Sequence, residues 1–215
     1  MTRSVCAVMA WAASFAAFSG VAFAQSPTAA DDSRGYAEVV AQSAFGNVTS
    51  QSFGGEFGYT VKPGLQVYVD AGYVRDTTSS TLATSAQRIA ADLTTKAGAT
   101  SYQVKQPVTF GVAGIKYLFP VDQSRFAPYI MVGGGAARVE KNTTFTAVNG
   151  SVSNYVTLGS DLTGSETKGM VSAGVGVEIS LGSMWIADLQ YRFGRVFTSD
   201  GLNINRAGAG VGIRF

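Results

Sequence analysis

Three patterns in the sequence predict an all-β fold, an eight-stranded antiparallel up-and-down transmembrane β-barrel. Segments of about ten residues alternate apolar side chains with small or polar ones. Short turns and longer connections take turns between them. The last segment, Arg206 to Phe215, alternates strictly and stops on an aromatic residue: Ala207, Ala209, Val211, Ile213 and Phe215 share one face, and Arg206, Gly208, Gly210, Gly212 and Arg214 the other. An apolar face backed by small and charged residues suits a strand between lipid and a crowded interior.

The eight segments are 35–45, 51–61, 65–75, 103–119, 126–140, 167–180, 184–196 and 203–215. Lys62-Pro63-Gly64, Pro120 to Arg125 and Leu181-Gly182-Ser183 are short and carry turn residues. Longer connections fall at 76–102 and 141–166, with modest ones at 46–50 and 197–202. This asymmetry predicts short turns on the periplasmic side and loops outside the cell. In the first long connection, Ile89 and Leu93 stand at i, i+4, which predicts a helical turn or two between Ser85 and Lys96.

Each strand then has a predicted lipid face and a predicted lumen face. Phe53, Phe57, Tyr59 and Val61 oppose Gly54, Glu56 and Gly58; Leu65, Val67, Val69, Ala71 and Tyr73 oppose Gln66, Tyr68, Asp70 and Gly72. Trp185, Ala187, Leu189, Tyr191 and Phe193 oppose Asp188, Gln190, Arg192 and Gly194. A lipid-facing Arg or Lys at the midplane costs about 2–4 kcal/mol, so mid-strand charges are expected inside. The predicted lumen network is Glu38, Glu56, Asp70, Glu178 and Asp188 against Lys116, Arg138, Lys168, Arg192, Arg206 and Arg214. Arg138 is placed inward on the energetic argument alone, because Gly133-Gly134-Gly135 erases the alternation around it. Near balance of charge, in a barrel just wide enough to be filled by its own side chains, predicts a salt-bridged plug.

Aromatics sort to both ends of the threaded strands. Tyr36, Tyr59, Tyr117, Phe119, Trp185 and Phe215 fall near one end, and Phe45, Phe53, Tyr73, Tyr102 and Phe197 near the other, as two membrane interfaces require. A soluble barrel would invert the pattern and coat its polar face with Lys and Glu. Here that face is mostly glycine, and 14% of the chain is charged.

Arg3, the apolar run Val5 to Val21 and Ala22-Phe23-Ala24 predict a signal peptide, residues 1–24, cleaved before Gln25. Cys6 lies at the start of that run rather than after it, so lipidation is not expected. Residues 25–34 are predicted to form a short periplasmic tail, and 35–215 the barrel. The mature chain would contain no Cys and no His, and removal of Arg3 from the 16 basic residues leaves 15 against 14 acidic. Thiol chemistry, a disulfide framework, a bound metal and nucleic-acid binding are therefore not expected, nor is any cofactor.

Taken together, the signal segment, eight alternating Gly-rich segments and terminal Phe215 resemble the OmpA/OmpX-type small outer-membrane barrels. The resemblance implies a Gram-negative outer-membrane location, contact with lipid and lipopolysaccharide, and recognition of the last strand, with Phe215 as assembly signal, by the insertion machinery. Some such proteins carry a peptidoglycan-binding domain after the barrel; this chain stops at the last strand, and no such anchoring is expected. Outer-membrane barrels that are enzymes use histidine, so catalysis is not expected here. The resemblance implies a structural or surface-interaction role: envelope integrity, adhesion or contact with host factors through the outer loops. Phe145, Tyr155 and Val156 are the candidate loop contacts. The alternative is transport, through a narrow pore or a conduit for small hydrophobic molecules of the OmpW-like kind.

Overall fold

The computed structural model describes residues 34–119, 121, 124–147, 155, 157, 159 and 162–215. The predicted signal peptide and most of the tail lie outside the described residues. Those described form nine strands and one helix: β1 (Gly35–Phe45), β2 (Ser50–Lys62), β3 (Leu65–Val74), α1 (Ser80–Ala97), β4 (Thr100–Lys105), β5 (Val108–Leu118), β6 (Phe126–Ala147), β7 (Gly164–Ser180), β8 (Trp185–Val196) and β9 (Leu202–Arg214).

Eight of these close into an antiparallel ring, in the order β1, β2, β3, β5, β6, β7, β8, β9 and back to β1. Burial follows the predicted parity. In β8 the alternation is unbroken from Ile186 to Gly194, and in β1 from Val39 to Phe45. Large apolar side chains such as Val39, Phe57, Val69, Ile130 and Leu189 stand exposed on the outer wall, a pattern that makes sense only against lipid.

The register fixes the geometry. The pairing row through Arg138 passes Thr109, Tyr73, Phe53, Ala41, Ala209, Leu189 and Val177 and re-enters β6 at Pro128. It returns ten positions from its start, residue 138 to residue 128, a shear of ten for eight strands. Strands so staggered tilt by about 40°, so each step along a row climbs roughly 3 Å along the axis and each residue roughly 2.4 Å. On that scale Tyr59, Tyr117 and Trp185 lie near the level of Pro128. Arg75, Arg138 and Arg195 share a level roughly 20–24 Å higher. The apolar outer wall between them matches the roughly 25 Å lipid-facing band of such barrels.

Two departures from the sequence-based segments stand out. The predicted strand 103–119 is broken at Pro107, which supplies no N–H. Its first part, β4, leaves the ring and pairs with Asn142 to Ala147 of β6. The predicted loop 141–166 is partly strand, because β6 runs on to Ala147 and β7 begins at Gly164. The helix is also longer than expected, starting where Ser79 caps it by accepting a hydrogen bond from the Leu82 N–H.

Candidate functional site

Arg192 lies at the centre of the lumen. Its Nη1 donates to Asp70 at 2.6 Å, its Nη2 donates to Glu56, and Glu38 lies 3.9 Å away. Arg206 approaches Asp70 at 3.6 Å and stacks its guanidinium 4.1 Å above the Phe110 ring. Lys116 stands 3.4 Å from Glu56 and 3.6 Å from Glu178, with the rings of Tyr36 and Tyr129 at 4.6 and 4.2 Å. Arg214 closes the short-turn end, donating to Glu178 and, at 3.0 Å, to Ser180. Asp188 accepts from the Tyr129 hydroxyl at 2.7 Å, and Glu56 from the Tyr36 hydroxyl at 2.5 Å. All but Arg214 of these charged groups are buried. Charges taken so far from water persist because each has a partner of opposite sign or a hydrogen-bond donor beside it.

Two glycines make room for the tyrosines. A Cβ on Gly58 would fall 2.1 Å from the Tyr36 ring, and one on Gly176 would fall 2.5 Å from the Tyr129 ring. Each ring therefore lies over a bare stretch of neighbouring backbone, which aims the Tyr36 hydroxyl at Glu56 of the adjacent strand β2 and the Tyr129 hydroxyl past β7 at Asp188 of β8.

Nine of the predicted network residues meet here: Glu38, Glu56, Asp70, Lys116, Glu178, Asp188, Arg192, Arg206 and Arg214. Arg138 does not. The alternation carries through the three glycines, so Met131, Ala137 and Val139 point inward and Arg138 points out, bonded to Glu140 and Ser165. It stands at the upper lipid boundary, where an outward charge costs only about 0–1 kcal/mol. Lys168 has the inward parity but sits above the lumen, exposed and 3.5 Å from Glu166. Tyr36, expected at the membrane interface, is buried in the lumen, because it shares the face of Glu38. Sequence reasoning missed Tyr36 and Tyr129 as network members, although the parity of Tyr36 with Glu38 was the available signal.

Above Arg206 the interior changes character. Ala44, Val74, Val108, Phe110, Ala137, Val139, Met170, Val196, Leu202 and Ile204 fill the long-loop half, and the same apolar cluster continues below Arg206 through Val112, Met131, Tyr68 and Tyr129. Val74, Val108, Val139 and Val196 are 0% exposed. Beyond the ring, α1 packs Leu82, Ala86, Ala90 and Leu93 against Phe145. The spacing is that of one helix face. Phe145 is thus buried beneath α1 and stacked on Tyr102 at 6.3 Å, which corrects its expected role as an exposed loop contact. Tyr155 is exposed, and Val156 lies outside the described residues. At the opposite end Phe215 exchanges two backbone hydrogen bonds with Gly35 and sets its ring 6.0 Å from Phe57 on the outer wall.

Solved structures share this architecture. Neisserial surface protein A aligns with a TM-score of 0.55 at 14% identity, over 84% of this chain and 96% of that one. The N-terminal β-barrel domain of Pseudomonas aeruginosa OprF aligns with a TM-score of 0.51 at 15% identity, over 85% and 99%. At such identities the likeness is one of fold. No curated protein matches the chain. The family model for the outer membrane protein β-barrel domain matches residues 6–215. The β4 strand, α1 and the β6 extension form a crown at the long-loop end of the ring, and the chain belongs to the outer membrane protein β-barrel domain family and is an integral protein of the Gram-negative outer membrane.

Proposed function

We propose that the protein is a structural and surface-contact component of the outer membrane, an occluded barrel that holds a folded crown above the lipid. One observation carries this: the lumen is filled twice over. A layer of paired ions lies below an apolar layer whose central valines are 0% exposed. An ion crossing that apolar layer would shed its hydration with no group to replace it. The crown has the features of a presented surface, a helix capped and packed on an extended hairpin rather than a loose loop. A catalytic role is not part of this reading, because the chain has no histidine and the lumen carboxylates are engaged in ion pairs or hydrogen bonds from tyrosine. Its partners would be outer-leaflet lipid and lipopolysaccharide around the wall, the insertion machinery at the Phe215 strand, and an extracellular ligand at the crown.

Planar-bilayer recording of the refolded full chain tests the reading against the narrow-pore alternative. Electrical silence is the expected result. A stable, reproducible unitary conductance would show that the lumen is open and would overturn it.

A further inference from the structure

A cavity of about 580 Å³ opens at the rim of the ring beside the crown. It lies where the first turn of α1 meets the β1–β2 and β8–β9 connections. That volume falls within the range of small-molecule sites, about 300–1,000 Å³. Its floor includes Ala44, Leu202 and Ile204, which belong to the apolar layer that occludes the lumen. The cavity is therefore blind: it can hold a molecule but leads nowhere.

Its walls are rich in neutral hydrogen-bonding side chains, among them Asn47, Ser80, Ser85, Thr198 and Ser199. The charged lining residues are Asp76, Glu166 and Asp200 against Lys141, three acids to one base. Three of these are already committed. Asp76 accepts from the Thr78 and Gln106 N–H groups and from the Thr78 hydroxyl; Glu166 pairs with Lys141 at 3.8 Å and Lys168 at 3.5 Å. An anionic ligand meets net negative charge and no free cation among the described lining residues. The same bonds at Asp76, with Gln106 accepting from the Ser79 N–H, tie the helix start to the barrel rim, so this wall is set before any ligand arrives.

Walls of amides and hydroxyls with no free cation among them match one ligand chemistry well: a neutral sugar, whose hydroxyls exchange hydrogen bonds with those side chains. We propose that this cavity binds a neutral mono- or disaccharide unit of an extracellular glycan. The inference rests on the surface-contact reading and gives it a ligand class.

The test uses the full chain refolded into nanodiscs, with lactose, maltose and N,N′-diacetylchitobiose as neutral probes and a sulfated disaccharide and spermidine as charged ones. Saturable binding of at least one neutral probe is expected in NMR titration. Ser85→Trp, which fills the cavity from the helix, should weaken that binding by about tenfold or more. Lys96→Trp, at the far end of the same helix, should leave it unchanged. Heat-modifiable gel migration would verify that both variants fold. Binding unaffected by Ser85→Trp, binding of the charged probes alone, or no binding at all would each overturn the proposal. The two readings fail separately. A silent barrel that ignores sugars sinks the saccharide site and spares the surface-contact role. A conducting barrel sinks that role, whatever the sugars do.

Discussion

The two halves of the lumen are walled by the same eight strands and filled by different physics. Towards the short turns the filling is ionic: Arg192, Lys116 and Arg206 bridge carboxylates carried by β1, β2, β3 and β7. Towards the crown it is aliphatic, drawn from Val74, Val139, Met170, Val196 and their neighbours. Long-range ion pairs lock strands that are not neighbours, since Arg192 of β8 reaches Asp70 of β3 across the barrel. The aliphatic layer acts mainly by excluding water. The lower half thus specifies how the ring closes, and the upper half keeps the ring shut to solutes.

Substitutions can separate these roles. The largest effect is expected from Arg192→Ala, which strips Glu56 and Asp70 of their closest cation in a buried setting. A loss of about 3–5 kcal/mol is expected in the urea-unfolding free energy of the barrel in liposomes. A loss below about 1 kcal/mol would mean that Lys116 and Arg206 suffice, and that the lower layer is redundant. Val196→Ala in the upper layer removes two methyl-sized groups from a dry site and should cost roughly 2 kcal/mol in the same titration. If instead it cost more than Arg192→Ala, the division of labour would be reversed. Ser79→Ala touches neither layer. Loss of a helix N-cap costs about 1 kcal/mol, so faster amide exchange confined to the start of α1 is expected, with the barrel midpoint unchanged.

The barrel itself was legible because lipid on one side and a narrow lumen on the other impose a two-residue period on every strand. That period also delivered nine lumen charges in register. What it does not contain is height. The inward expectation for Arg138 holds only at the midplane; its level, at the upper boundary with Arg75 and Arg195, leaves it free to face outward. Lys168 failed for the same reason, with the right parity on a strand that overshoots the lumen. Tyr36 was sorted by its nearness to a strand end, although its parity already placed it with Glu38. The crown was the least legible region. Phe145 belongs to an ordinary alternating strand, and it is buried only because a helix some fifty residues earlier in the chain folds over it.

One feature of the closure bears on how the protein is made. The ring is sealed where β9, last in the chain, pairs with β1, first among the strands, through a ladder from Tyr36–Arg214 to Phe45–Asn205. Neither strand has its second partner until the final residues exist. The ring therefore cannot close before β9 is in place, whatever order the other strands pair in. Until that pairing forms, β1 and β9 each keep one edge open to other strands, a site for edge-to-edge association.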